Sequence, residues 1–144
     1  MFASVTRLRV RLVRDLPIFL WNTFLTHQQI VRAPGFVGGR LLVDTHRTYW
    51  TLTVWENERT MKAFRGSGAH ARVMPSLAGW CDEAAYAHWD VADAVLPSWP
   101  EAYERMVRDG KLSRVTNPSA DHTARVFAQP RLKPLIGVDL KAKH

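Results

Sequence analysis

The chain has 144 residues, 47% hydrophobic and 10% aromatic, enough to bury one core but short of two full domains. Its formal charge of +7 suggests a nucleic-acid partner, yet seven basic against two acidic residues from Lys111 onward hold five of those charges. The excess therefore belongs to a tail, and no nucleic-acid partner is expected. One cysteine, Cys81, excludes an internal disulfide and a cysteine zinc cluster, and no apolar run approaches the roughly 20 residues of a membrane span, so a cytoplasmic protein is expected.

Residues 5–13 alternate, with Leu8, Val10 and Leu12 on one side and Arg7, Arg9 and Arg11 on the other. This is the period-two pattern of a half-buried strand whose arginines face solvent. Asp15 and Pro17 mark the start of a helix running to Arg32, since the missing N–H of proline costs nothing in a first turn. Trp21, Phe24, Leu25 and Gln28 share one face, and Ile18, Phe19 and Ile30 widen the apolar surface, which predicts a helix covered on two sides. Ala33-Pro34-Gly35 stops it. Residues 36–44 and 49–55 then read as a strand hairpin, in which Gly38-Gly39 lacks the lysine of a phosphate loop and marks close backbone packing.

Asn57 caps the next helix, in which Met61 and Phe64 face inward, and Gly66-Ser67-Gly68 breaks it and lets Ser67 cap another. In that second segment His70, Val73, Met74 and Leu77 fall at i, i+3, i+4 and i+7, so an imidazole shares a stripe with three core-type side chains. Residues 83–89 supply a fourth strand. Ser98 and Glu101 form a capping box for a short helix ended by Gly110. Residues 111–144 read as a basic extended arm beyond a domain of residues 1–110, with Val126, Phe127, Leu135 and Ile136 as the side chains able to dock.

The order β-α-β-β-α-β is that of an α+β, ferredoxin-like fold, a split β-α-β with a four-stranded antiparallel sheet and its helices on one face. The opposite face would be bare, which predicts a homodimer formed by sheet-to-sheet packing.

Residues 53–56 (TVWE), followed by residues 67–71 (SGAHA), resemble the dimeric α/β-barrel superfamily, and within it the proteins similar to spheroidene monooxygenase. The TVWE element is also similar to haem-degrading and antibiotic-biosynthesis monooxygenases. The resemblance covers residues 5–89. It implies a dimeric barrel that oxygenates a hydrophobic or aromatic small molecule in a pocket within each subunit, with haem as an admissible cofactor. A non-catalytic binder of such a molecule, or of haem, is the alternative. In the haem-degrading members the ligand histidine lies further along the helix, where this chain has Val73 and Met74, while His70 matches the SGAHA motif.

Three roles for His70 stay open at this stage. As a core histidine it donates one ring proton to a backbone carbonyl. As a haem ligand it uses a neutral nitrogen. As a general base it takes a proton from the substrate at about 3 Å. The expected pocket consists of Trp21, Phe24, Trp55, Phe64, Met74 and Leu77, with Arg65 and Ser67 offering an anion site at the helix break unless Ser67 only caps. Asp82 and Glu83 make no recognised metal spacing with His70, and nothing beside Cys81 activates its thiol.

Overall fold

The computed structural model describes residues 1–131 and 136–143. Strand β1 (Phe2–Val10) leads through a 3₁₀ turn into α1 (Leu16–Ile30), then β2 (Phe36–Asp44), β3 (Thr48–Trp55), α2 (Glu58–Arg65), α3 (Gly68–Trp80) and β4 (Cys81–Asp90). The remainder gives α4 (Trp99–Asp109), β5 (Lys111–Leu112), α5 (Ala120–Ala124) and β6 (Ile136–Lys141). The ferredoxin-like core is present. Its sheet, however, has six antiparallel strands among the described residues, not four, in the order β5-β4-β1-β3-β2-β6. The two extra strands come from the segment read as an arm, which pairs with most of β2 at one sheet edge and with Ala85 and Tyr86 of β4 at the other. The expected docking of Leu135, and the side chain of Ile136, fall outside what is described.

Local chemistry explains most boundaries. Asn57 accepts the Thr60 N–H at 2.9 Å and Ser98 accepts the Glu101 N–H at 3.3 Å, so both are genuine N-caps. Asp15 makes no such bond, because the 3₁₀ turn before it already feeds the helix. Strand β1 starts earlier and stops earlier than its alternation predicts. Phe2 to Ser4 find partners on both β3 and β4, while beyond a register shift at Arg9/Val10 the chain bonds singly to the Arg47 and Trp80 carbonyls.

The face of the sheet expected to be bare is covered. Ala102 and Met106 of α4, with Phe127, bury completely or nearly so against Ala3, Val5, Trp50, Leu52 and Ala87. The molecule is therefore three-layered, α1–α3 on one face and α4 on the other, and the argument for sheet-to-sheet pairing loses its premise. The same covering corrects the reading of the β1 arginines. Arg7 lies on the α4 side and is 6% exposed. Its guanidinium donates to Glu83 Oε1 at 2.6 Å, Arg9 donates to Glu83 Oε2 at 2.8 Å, and Ser119 Oγ donates to the same oxygen at 2.8 Å. Segment 111–124 is thus fastened to the edge of β4 through a buried carboxylate. Burial alone would raise the Glu83 pKa, but the hydrogen bonds from Arg7 and Ser119, the Arg7 charge and the Arg9 hydrogen bond outweigh it and hold the carboxyl below its ordinary range.

Glu83→Ala strands Arg7 without a counter-charge and should lower stability by about 3–5 kcal/mol in urea unfolding. Because the native carboxyl sits below its ordinary pKa of 4.5, the unfolded chain takes up the proton first. Wild-type stability should therefore fall as pH drops below that value, and this acid-linked loss should be smaller in Glu83→Gln.

Candidate small-molecule site between helices and sheet

The strand register leaves a hollow. On the face toward α1–α3, β1 presents Phe2, Ser4, Thr6, Leu8 and Val10 in turn, and its partner β3 presents Trp55, Thr53, Thr51 and Tyr49 opposite them. The large residues at each end belong to two separate clusters, Phe2 with Phe36, Trp55 and Phe64 at one end and Val10 with Phe19, Tyr49 and Cys81 at the other. Between them β1 and β3 carry only short hydroxyl side chains. Helices resting on the two clusters therefore span a gap, and a cavity of about 500 Å³ remains over Ser4, Thr6, Thr51 and Thr53. That is within the usual size of a small-molecule pocket.

The inner face of α1 supplies Phe19, Thr23, His27 and Ile30, and α2 and α3 supply Phe64, Arg65, His70, Val73 and Leu77. Tyr86 and His88 of β4 form a further wall, their rings 5.0 Å apart, and Arg114 reaches in from the segment after β5. The lining surface is mainly apolar, although about half of the lining residues carry a polar group, and no aspartate or glutamate belongs to it among the described residues.

His70 is the best-defined polar group in this space. Its Nδ1–H donates to the Arg65 carbonyl at 3.0 Å, and its ring lies 5.0 Å from that of Phe64. This bond fixes the tautomer with Nε2 unprotonated. The backbone is fixed as well, because Gln29 Oε1 accepts the His70 N–H at 2.9 Å while Gln29 Nε2 donates to the Ser67 carbonyl at 2.8 Å and the Phe64 carbonyl at 3.3 Å. One amide therefore ties α1 to the break between α2 and α3. Gly68 allows the approach: its φ is +58°, and a Cβ there would come within 3.0 Å of the Gln29 amide. Burial lowers the His70 pKa, the Arg65 carbonyl works against that, and the Arg65 charge lowers it again, so the imidazole is neutral at pH 7. Burial lowers His27 and His88 too, with the Arg65 guanidinium adding to the effect at His88.

Of the expected pocket residues, Trp55, Phe64, Arg65, His70, Met74 and Leu77 line the cavity. Trp21 and Phe24 do not. They stack on each other at 5.8 Å on the outer side of α1, 58% and 50% exposed, because the helix turns its threonines and His27 toward the hollow. The prediction of a helix covered on two sides fails with them. Ser67 sits at the N-cap of α3 without a capping hydrogen bond, its hydroxyl donating instead to the Phe64 carbonyl at 3.3 Å, and it lies outside the cavity. Sequence reasoning missed Gln29, His27, Tyr86, His88 and Arg114. Spacing carried a signal for some of these: Thr23, Thr26, His27 and Ile30 fall at i, i+3, i+4 and i+7, and Tyr86 and His88 alternate with alanines. Cys81 is buried, and its thiol is pushed up to about 12 by burial and the adjacent Asp82 carboxylate, so it is no nucleophile at neutral pH. No cluster of metal-ligating side chains occurs among the described residues.

A profile of the family described as a domain of unknown function, DUF3291, matches residues 15–118, well over half of the sequence. The chain belongs to the DUF3291 family. No curated protein matches this DUF3291 chain in sequence. In structure it is similar to an antibiotic biosynthesis monooxygenase, at 11% identity and a TM-score of 0.58 over 65% of this chain and 100% of that one. It is similar to SnoaB, a cofactor-independent oxygenase from Streptomyces nogalater, at 17% identity and a TM-score of 0.53 over 67% and 97%. A conserved protein from Methanosarcina mazei Go1 aligns at 13% identity and a TM-score of 0.56 over 63% and 92%. The DUF3291 chain thus has the fold of antibiotic-biosynthesis-monooxygenase-like proteins. No helix among its described residues is long and apolar enough to cross a membrane.

Replacing Gln29 by Leu orphans the His70 N–H and removes one of the hydrogen bonds accepted by each of the Ser67 and Phe64 carbonyls, which keep their backbone donors. Stability should fall by about 1–3 kcal/mol, and the His70 amide should exchange with solvent faster than amides of β1 and β3. Exchange at His70 unchanged in the variant would mean that the clamp does not hold the break.

Proposed function

We propose that this protein is a monooxygenase-like enzyme that takes a hydrophobic or aromatic small molecule into the cavity and uses His70 as its proton acceptor. The observation that carries the reading is the His70 ring, anchored through Nδ1–H to the Arg65 carbonyl with its unprotonated Nε2 left for the cavity. A neutral imidazole with lowered pKa is a competent general base at neutral pH. The fold shared with SnoaB, a cofactor-independent oxygenase, supports the same chemistry. In such a reaction a methylene acidified by neighbouring rings or a carbonyl loses a proton to Nε2, and the resulting carbanion passes electrons to dioxygen. The net change, R₂CH₂ plus O₂ to R₂C=O plus water, balances without an external reductant. The likeness of residues 67–71 to spheroidene-monooxygenase-like proteins supports an apolar substrate.

A second reading is favoured by the same ring. An imidazole whose Nδ1–H is held by a carbonyl is oriented as a metal-ligating histidine is, so the donor fits haem iron, with Arg65 and Arg114 available to its propionates. Bound haem would supply the dioxygen-activating iron. A non-catalytic binder would use the cavity without either step.

The reading includes a homodimer. With α4 on the sheet, the exposed apolar surface is the outer side of α1, where Ile18, Leu20, Trp21 and Phe24 stand at 46–58% exposure beside Val13. From Leu16 to Ile30 the helix carries no Asp, Glu, Lys or Arg, so two copies of this strongly basic chain can meet there without like charges opposed. Sedimentation should give a dimer, and Trp21→Asp with Phe24→Asp a folded monomer; a monomeric wild type would refute the contact.

Anthrone, an aromatic ketone with an acidified methylene, tests the chemistry. The protein should take up one O₂ per anthrone, and His70→Ala, folded by circular dichroism, should lower kcat by about 10²–10⁴-fold. Because the proton-accepting form is neutral, activity should fall on acidification with a midpoint below the ordinary histidine value of 6.5. Binding of anthrone without oxygen uptake would leave the binder, and a stoichiometric Soret band on haemin titration, lost in His70→Ala, would establish the haem reading.

A further inference from the structure

We propose that the molecule held in the cavity is an organic anion, an apolar or aromatic body carrying a carboxylate or similar oxyanion that docks on Arg65. The inference rests on reading the cavity as a small-molecule site and specifies the substrate class for it. Among the described residues, two arginines and three histidines line the space and no acidic side chain does. The histidines are held neutral by burial, so the positive charge of the cavity is guanidinium charge. Arg65, in the last turn of α2, is half-buried. Among the described residues its guanidinium has neither a carboxylate nor a hydrogen-bond acceptor. Glu58, an acid of the same helix, is engaged instead with Lys62 at 3.1 Å.

Arg65 is also placed by the backbone that orients the His70 ring: its carbonyl receives the His70 Nδ1–H while the residue lines the same cavity. Its charge acts on both His70 and His88, so the guanidinium stands near two uncharged imidazoles. A half-buried guanidinium is stabilised by an oxyanion that accepts two of its N–H groups, and its fork geometry suits a carboxylate. Arg114, exposed on the segment after β5, adds a second cation over the same opening.

Two dyes that share an aromatic body isolate the charge: 8-anilinonaphthalene-1-sulfonate and the uncharged N-phenyl-1-naphthylamine, each titrated by fluorescence into the full chain. Thr51→Phe, which fills the cavity floor, should abolish the saturable binding of both. Arg65→Gln should weaken the sulfonate about tenfold and leave the neutral dye unchanged, with Arg65→Lys between them. If Thr51→Phe removes both dyes but Arg65→Gln affects neither, or both equally, the anion inference is overturned while the cavity reading stands. If neither dye binds saturably, or Thr51→Phe changes nothing, the cavity reading fails and the inference fails with it.

Discussion

The site depends on one side-chain amide. Gln29 accepts the His70 N–H and donates to the Ser67 and Phe64 carbonyls, so α1 and the break between α2 and α3 are joined beside His70. Helices over a sheet ordinarily settle until side chains interdigitate at close-packed density. Here they cannot, because the clamp and the two aromatic clusters hold them up while the middle of β1 and β3 offers only serine and threonine. The consequence is a cavity, and a histidine whose backbone and one ring nitrogen are both already fixed.

The opposite layer supports that arrangement without taking part in it. Helix α4 and Phe127 bury the large side chains of β1, β3 and β4, including Trp50 and Leu52, so the sheet is rigid behind the hollow. The buried Glu83 carboxylate then fastens the chain after β5 to the sheet edge, and that segment brings Arg114 to the cavity. A covered sheet face also separates this chain from the sheet-paired dimer that its element order suggests, and it shifts the exposed apolar surface to α1.

How much of this the sequence revealed depended on which force decided each element. Strand hairpin, helix break and N-caps were legible, because β-branched and aromatic content, Gly66 and Gly68, and Asn57 and Ser98 act locally. The stripe of α3 was legible in part: His70, Val73, Met74 and Leu77 all line the cavity, but only Val73 is buried and Met74 is 44% exposed. The orientation of α1 was not: hydrophobic reasoning turns Trp21 and Phe24 inward, whereas a helix facing a cavity can direct threonines and a histidine there. The run Phe2-x-Ser4-x-Thr6-x-Leu8 opposite Tyr49-x-Thr51-x-Thr53-x-Trp55 does encode the hollow, yet only the register reveals that the short residues coincide. Strand β5 was hidden by its brevity and β6 by its long-range pairing with β2, and Arg7 looked solvated because its counter-charge lies 76 residues away.

The central claim is that His70 presents an unprotonated Nε2 to an open cavity because the Arg65 carbonyl holds its Nδ1–H. The most direct measurement is the ring nitrogen spectrum of ¹⁵N-histidine-labelled protein, recorded from neutral pH into the acid range. The account predicts a neutral His70 ring at pH 7, its proton on Nδ1, that becomes imidazolium only below the ordinary histidine range. A ring protonated on Nε2, or already imidazolium at neutral pH, would contradict it.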